Sequence, residues 1–343
     1  MIGRSRLLSV LAVLAAASIV PVRGQQPESA RQDPLLFRSR VDFVSVNATV
    51  TDASGRFVVG LRKEDFSVYE DGEPVDVTEF SVERVPVSLG IALDTSGSMS
   101  GDKIKAARRA LERLLELVDR STEIFLFRFG DFPILVQGWT TDRRLIGRGL
   151  ERITPSGNTA MYDAVAAAIA LTDSGRHQKK VLLIVSDGHD TISNTSEGDL
   201  KRHIRESDAL VYAIGIDGAG ASVNRPVTPS QPRRPPRFPI PLLPGVGTRG
   251  QSWQVLPGGL FLDGDRVDLG ALRGMTDDSG GRTEIVRETR GLNSAVTGIV
   301  DELGRQYFLG YTSPRKKDGQ WHAIRVDVAD GARHVRARRG YVG

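Results

Sequence analysis

The chain contains no cysteine, which excludes a disulfide framework, a thiolate metal site and a lipid carried on cysteine. Histidine is sparse. The five present, His177, His189, His203, His322 and His334, show no ligand spacing among themselves. Also missing are a Gly-x-Ser-x-Gly elbow, a His-Glu-x-x-His pair and a phosphate-cradling Gly-x-x-x-x-Gly-Lys-Ser/Thr loop. A general base is therefore hard to nominate, and the chain reads as a non-enzyme. Excess charge of one sign is lacking as well. The 46 Lys and Arg face 42 Asp and Glu, a formal net charge of +4. The pI near 9.4 suggests nucleic acid at first sight. Residues 1–24, however, hold Arg4, Arg6 and Arg23 and no acid, so their removal lowers the net charge to +1. A charge that small steers no polyanion, and no nucleic-acid partner is expected.

What is present describes an ordinary globular protein. At 343 residues, with 40% hydrophobic and 26% charged side chains, the chain can bury a good core and is long enough for two domains. The N-terminus reads as a signal peptide, residues 1–24. Arg4 and Arg6 precede the apolar run Leu7 to Val20, and Val22-Arg23-Gly24 offers a cleavage point before Gln25. A membrane anchor is the competing reading, but the run falls short of the roughly 20 residues that span a bilayer. No Arg-Arg pair supports a twin-arginine route. The expectation is export without stable membrane insertion after cleavage. A chain held by its core alone, with no disulfides, suits a bacterial periplasm or exterior.

Residues 25–35 are polar and read as a mobile leader. Residues 36–85 form short β-type runs: Val41 to Val50 alternates, Phe57-Val58-Val59 follows the turn at Asp52 to Gly55, and Glu64 to Glu70 meets the turn Asp71-Gly72 before Val75 to Val82. From 86 to 304 the pattern changes to strands separated by helices. Val87 to Leu93 is nearly all apolar, as in a strand covered on both faces. Lys103 to Val118 follows with helical spacing, and further strands are expected at Ile124 to Phe129, Ile134 to Trp139, Val181 to Val185, Leu210 to Ile216 and Glu284 to Val286. Helices are expected at Asn158 to Thr172, from Ser196 to about Ser207, at Val267 to Met275 and at Leu292 to Leu303. This predicts an α/β domain with a doubly wound, mainly parallel sheet. A Pro- and Gly-rich stretch at 218–265, with basic Arg225, Arg233, Arg234 and Arg237, interrupts it as an irregular insertion. Strands return over 305–343. We read them as pairing with the N-terminal runs into one β-sandwich-like domain, with the α/β domain inserted between its halves, because either half alone would expose an apolar face.

The strongest chemical signal is Asp94-Thr95-Ser96-Gly97-Ser98, directly after the first buried strand. Loops at the carboxyl ends of such strands form the binding crevice of an open α/β sheet. Asp94, Ser96 and Ser98 can converge on one point, with Gly97 freeing the turn. Two more loops reach the same edge: Ser156-Gly157-Asn158-Thr159 and Ser186-Asp187-Gly188. Carboxylates, hydroxyls and water are donors for hard cations such as Mg²⁺. Only Asp94 and Asp187 carry charge, so the ion would stay electrophilic and accept one more oxygen, a partner's Asp or Glu carboxylate being the natural donor. Asp190 reads as solvating the loop before the Ser196 helix, His189 as a surface histidine, and Met99 and Tyr162 as packing beneath the site.

Asp94-Thr95-Ser96-Gly97-Ser98 resembles the Asp-x-Ser-x-Ser motif of von Willebrand factor A domains, the metal-ion-dependent adhesion site. Thr159 in Gly157-Asn158-Thr159-Ala160 matches the family's threonine, and Asp187 in Ser186-Asp187-Gly188 its second aspartate. The resemblance, over roughly Pro86 to Gly304, implies that the serines and sometimes the threonine bind metal directly, while the aspartates often act through water. It implies Mg²⁺, or Mn²⁺ or Ca²⁺, as the ion. Gly60-Leu61-Arg62-Lys63-Glu64-Asp65-Phe66 and Tyr69-Glu70-Asp71-Gly72 also look like the exported bacterial "VWFA-related" group best known from acidobacteria. The Pro-rich insertion departs from the family pattern. The function expected is cation-dependent protein binding or adhesion. The alternatives are a scaffold that binds through the β domain or the Pro-rich loop without metal, and a metal-assisted hydrolase at the same edge.

Overall fold

A computed structural model describes residues 43–82, 85–217, 267–315, 318–329 and 333–343. The signal segment, the leader and the Pro-rich insertion expected from the sequence lie outside the described residues. Before the α/β part come β1 (Phe43–Thr51), β2 (Phe66–Glu70), β3 (Glu73–Val75) and β4 (Val77–Ser81). The α/β part then runs β5 (Val87–Asp94), α1 (Asp102–Leu117), β6 (Glu123–Phe129), β7 (Pro133–Thr140), α2 (Arg143–Glu151), α3 (Met161–Asp173) and β8 (Lys179–Ser186). It continues with α4 (Glu197–Glu206), β9 (Leu210–Ile216), α5 (Leu269–Thr276), β10 (Thr283–Val286) and α6 (Leu292–Leu303). Last come β11 (Tyr307–Thr312), β12 (Trp321–Val328), β13 (His334–Arg336) and β14 (Gly340–Val342).

The apolar run after Pro86 becomes β5, buried at every position. It lies inside a six-stranded sheet of order β10-β9-β8-β5-β6-β7. All neighbours are parallel except β7, which runs antiparallel to β6 at the edge. Alternation along β5 divides the packing. Leu89, Ile91 and Leu93 join Ile104, Leu111 and Leu114 of α1 and Val296 and Ile299 of α6. On the opposite face Ala92 joins Phe125 of β6, Ala164, Val165 and Ala168 of α3, and Leu272 of α5. Gly90 is required there, because a Cβ would run into the Phe125 ring. Small residues on β5 and α3 thus let helix and sheet approach closely, and Ile91→Ala would cost about 2–5 kcal/mol from the opposite, well-filled face.

Two four-stranded sheets, β13-β1-β11-β4 and β14-β12-β2-β3, make the β part. Each mixes strands from before and after the α/β insertion. β1 pairs with β11 and β13, and β2 with β12, all antiparallel. Their inner faces share one core, with Val46, Leu309 and Tyr311 from one sheet and Phe66, Val68, Ile324 and Val326 from the other. Phe57 to Val59, expected as a strand, makes an isolated bridge from Phe57 to Thr51 and a bond from Val58 N to Val50 O at 2.9 Å, short of a ladder. The reason is Tyr307, whose hydroxyl donates to Val58 O at 3.0 Å and accepts from Leu61 N at 3.2 Å, holding that segment as a coil.

The single run expected at Val75 to Val82 divides into β3, beside β2, and β4, beside β11 in the other sheet. Two further elements had no counterpart in the sequence reading. Helix α2 buries only Ile146, Gly149 and Leu150 amid arginines, and is started by Asp142 accepting from Arg144 N at 3.0 Å. The other is β14, only three residues long.

Buried Glu302 of α6 ties the two parts together. It accepts from Tyr212 of β9 at 2.7 Å and Thr49 of β1 at 3.2 Å, and it pairs with Arg282 at 2.7 Å and with Arg336 of β13. Nearby, the buried Lys179 donates to Leu303 O at 2.6 Å.

Candidate metal centre

The carboxyl ends of β5 and β8 are neighbours in the sheet, and the site grows from that adjacency. Asp94 ends β5 with no exposed surface. Its Oδ1 accepts from Ser96 N at 2.8 Å, which turns the chain back on itself. Its Oδ2 accepts from Ser186 Oγ, the last residue of β8, at 2.6 Å. A short 3-10 turn, Gly97–Met99, then brings Ser98 Oγ within 3.0 Å of Ser96 Oγ. Met99 is fully buried below the loop and Tyr162 is partly buried.

The second loop is stitched to the first. Ser156 N donates to Thr95 O at 2.8 Å, and Gly97 N donates to Gly157 O at 3.0 Å. Gly157 has φ +77° and a Cβ there would meet the Asp131 carboxylate, so glycine is needed twice over. Asp131 Oδ1 in turn accepts from the backbone N and the side-chain Nδ2 of Asn158, both at 2.9 Å. Thr159, next along, is 4% exposed. Its backbone is held by Thr191: Thr159 N donates to Thr191 Oγ1 at 2.9 Å, and Thr191 N to Thr159 O at 2.8 Å.

The third loop carries Asp187. Gly188 N donates to Ser186 Oγ at 2.9 Å, and Asp187 O accepts from Asp268 N at 3.0 Å. The Asp187 side chain is buried, yet its Oδ1 has no hydrogen-bond partner. Its Oδ2 lies 3.5 Å from Lys103 Nζ, on the first turn of α1. Burial pushes the Asp94 carboxyl up to about 6; hydrogen bonds from Ser186 and Ser96 oppose the shift, and the Asp187 charge adds to it.

Hydrogen bonds therefore join Asp94 to Ser96 and Ser96 to Ser98. Asp187 follows the Ser186 that bonds Asp94, and Thr159 sits on the loop bonded to Thr95 and Gly97. The donor chemistry suits a hard divalent cation. Asp94 and Asp187 are both buried, Asp187 has one orphaned oxygen and the Lys103 ammonium beside the other, and the hydroxyls of Ser96, Ser98 and Thr159 stand on the same loops.

Several contributors escaped the sequence reading. Ser186 links β5 to β8, Lys103 pairs with Asp187, and Asp131 braces Gly157. Asp190 does hold the loop before the Ser196 helix, its Oδ1 accepting from Ser193 Oγ at 2.5 Å and its Oδ2 from Ser193 N at 3.3 Å, but it has a second role. Its Oδ1 accepts from Met161 N at 2.8 Å and Tyr162 N at 3.1 Å, so it caps α3 from another loop. Only the three-dimensional approach of the 186–193 loop to α3 discloses that role.

Residues 89–189, within the α/β part, match the model of the von Willebrand factor type A domain. The inter-alpha-trypsin inhibitor heavy chain H4 of Homo sapiens is 23% identical over 216 residues, 58% of this chain and 21% of that protein. The heavy chain H2 of Mus musculus is 25% identical over 223 residues, 57% of this chain and 23% of that protein. The chain thus spans about a fifth to a quarter of the length of these relatives. Among solved structures, a von Willebrand factor type A protein from Catenulispora acidiphila aligns with a TM-score of 0.47 at 13% identity, over 88% of this chain and 75% of that one. Among the described residues, no helix is long and apolar enough to cross a membrane.

Proposed function

We propose that the chain is an exported binding protein whose von Willebrand factor type A domain holds a divalent cation, Mg²⁺ or else Mn²⁺ or Ca²⁺, through Asp94, Ser96, Ser98, Thr159 and Asp187. The observation that carries this reading is the orphaned, buried Oδ1 of Asp187 beside the fully buried Asp94. Leaving a buried carboxylate oxygen unpaired is costly, and a cation relieves it. Bound there, the ion supplies an electrophilic centre that takes a further oxygen donor. The chain's own residues do the rest. Ser96 and Ser98 offer neutral hydroxyls, so only two acids offset the ion's charge, and it retains attraction for an Asp or Glu carboxylate on a protein partner. Ser186 and the Ser96 backbone hold the Asp94 carboxylate in one orientation. Lys103 balances part of the acidic charge.

Export is supported by the reading of residues 1–24 as a signal segment, and the partner would be met in the periplasm or outside the cell. The match of residues 89–189 to a domain shared with the inhibitor heavy chains supports protein binding over catalysis. The test is capture of partner from the native envelope fraction by the full chain, with and without EDTA. Capture that is lost in EDTA and in Asp94→Ala supports the proposal. Capture that survives both favours a metal-free scaffold binding through the β domain or the Pro-rich insertion.

A further inference from the structure

We propose that the β-sandwich carries a second divalent-cation site, of the imidazole-binding transition-metal class, built by Glu70, Asp71 and His322. The site is independent of the cation centre at Asp94. One carboxylate oxygen from each acid and a ring nitrogen of His322 lie within 4.8 Å of one another. A four-coordinate Zn²⁺ bound at about 2.0–2.2 Å keeps its donors roughly 3–4 Å apart, so small side-chain rotations complete the cage.

The strands bring these residues together from opposite ends of the chain. Glu70 ends β2, whose alternating burial points it inward, and it pairs with Ile324 of β12. Asp71 follows at φ +51°, a left-handed backbone that turns the chain over the edge of β12. There Asp71 N donates to Ala323 O at 2.9 Å, and its Oδ1 accepts from Ala323 N at 2.8 Å. The other oxygen, Oδ2, is thereby set 2.8 Å from His322 Nδ1.

An ordinary ion pair accounts for Asp71 and His322 but not for Glu70. That residue has no exposed surface. Its Oε1 accepts from Ser313 Oγ at 2.8 Å and Tyr341 Oη at 3.3 Å, while Oε2 is buried with no hydrogen-bond partner. The Tyr311 hydroxyl beside it also lacks a partner in hydrogen-bond geometry. Burial, and then the Glu70 carboxylate, push the Tyr311 phenol up, so it stays a neutral O–H. A buried carboxylate with one unpaired oxygen, standing within 4.8 Å of an imidazole and a second acid, is the donor set of a metal rather than of a salt bridge.

The outer contacts fit as well. His322 Nε2 faces Asp318 Oδ1 at 3.3 Å, so with Nδ1 on the ion the opposite N–H points to a carboxylate, the usual way a ligating histidine is oriented. Imidazole with two carboxylates favours Zn²⁺ over Mg²⁺, whereas the Asp94 centre offers oxygen alone. Arg315, Nε 3.7 Å from Asp71 Oδ2, competes for that oxygen, but its side chain is 45% exposed and can turn to solvent. An ion here would clip β2 to the C-terminal strands β12 and β14.

The test uses the full chain carrying Asp94→Ala, which silences the other centre. Calorimetric titration with Zn²⁺, and visible absorption with Co²⁺, should show one ion bound per chain, and Zn²⁺ should raise the Tm. Adding His322→Gln or Glu70→Gln should each weaken Zn²⁺ affinity by about 100-fold, the upper end of what even an outer-shell loss costs. The two variants are paired so that a folding failure in one, seen by circular dichroism, leaves the other decisive. Zn²⁺ and Co²⁺ failing to bind the Asp94→Ala chain, or binding unchanged in a folded Glu70→Gln or His322→Gln variant, would overturn the proposal.

Discussion

The Lys103 ammonium lies 3.5 Å from Asp187 Oδ2, on the edge of the sheet where the ends of β5 and β8 meet. The lysine side chain is 16% exposed and the aspartate 3%. A positive charge so placed steadies the acids of the centre while opposing a second cation beside them. Lys103→Ala should therefore move two quantities in opposite directions. The protein in EDTA should lose about 1–3 kcal/mol of stability, the cost of leaving a buried acid unpaired. Mg²⁺ affinity should rise, by roughly the tenfold that 1.4 kcal/mol represents. Urea unfolding and calorimetry on the same variant read both. Weaker Mg²⁺ binding would mean that Lys103 assists the ion.

Lys179 makes stability depend on pH. Burial pulls its ammonium down from 10.5 to about 7, and the Glu302 charge only partly opposes the shift. Between those two values the unfolded chain binds a proton that the folded protein does not. Stability from this group therefore rises with pH across that window and is least below about pH 7. Lys179→Met should raise stability at pH 7 by on the order of 1–3 kcal/mol and flatten its rise toward pH 10. Urea midpoints at pH 7 and pH 9.5 check this. A variant less stable at both would show that the bond to Leu303 O outweighs the desolvation.

Glu302 should govern whether the two parts unfold together. Its carboxylate, 1% exposed, gathers Thr49 and Arg336 from the sandwich with Tyr212 and Arg282 from the α/β part. Glu302→Ala takes the buried carboxylate from two arginines, leaving Arg282 its pair with Glu284 and Arg336 its bond to Gly280 O, and should cost about 3–5 kcal/mol, as breaking a buried pair does. Urea unfolding of the parent should follow one transition and that of the variant two, because the junction is lost before either core.

Legibility followed local pattern. The all-apolar Val87 to Leu93 announced a strand covered on both faces, and α6 was read to its observed ends at Leu292 and Leu303. Asp94, Ser96 and Ser98 were visible because their spacing is local to one loop. Contributors set by tertiary approach were not. Ser186 has no motif of its own, yet it meets Asp94 across 92 positions. Asp190 reads as serving the loop before the Ser196 helix, and it bonds Ser193 there, but its second role, at the start of α3, comes from the fold. His322 meets Asp71 only because β12 pairs with β2, a distance of 251 positions with no sequence signal. Helix α2 was hidden by its arginines, and Phe57 to Val59 kept β-type residues but gave the Val58 carbonyl to the Tyr307 hydroxyl.

The central claim is that the acids at the ends of β5 and β8 bind a divalent cation. Calorimetric titration of Mg²⁺ into the full chain and into Asp94→Ala, each first stripped with EDTA, tests it most directly. The account predicts saturable binding to the parent and none at the same concentrations to Asp94→Ala. Equal affinity for both, with the variant folded, would contradict it.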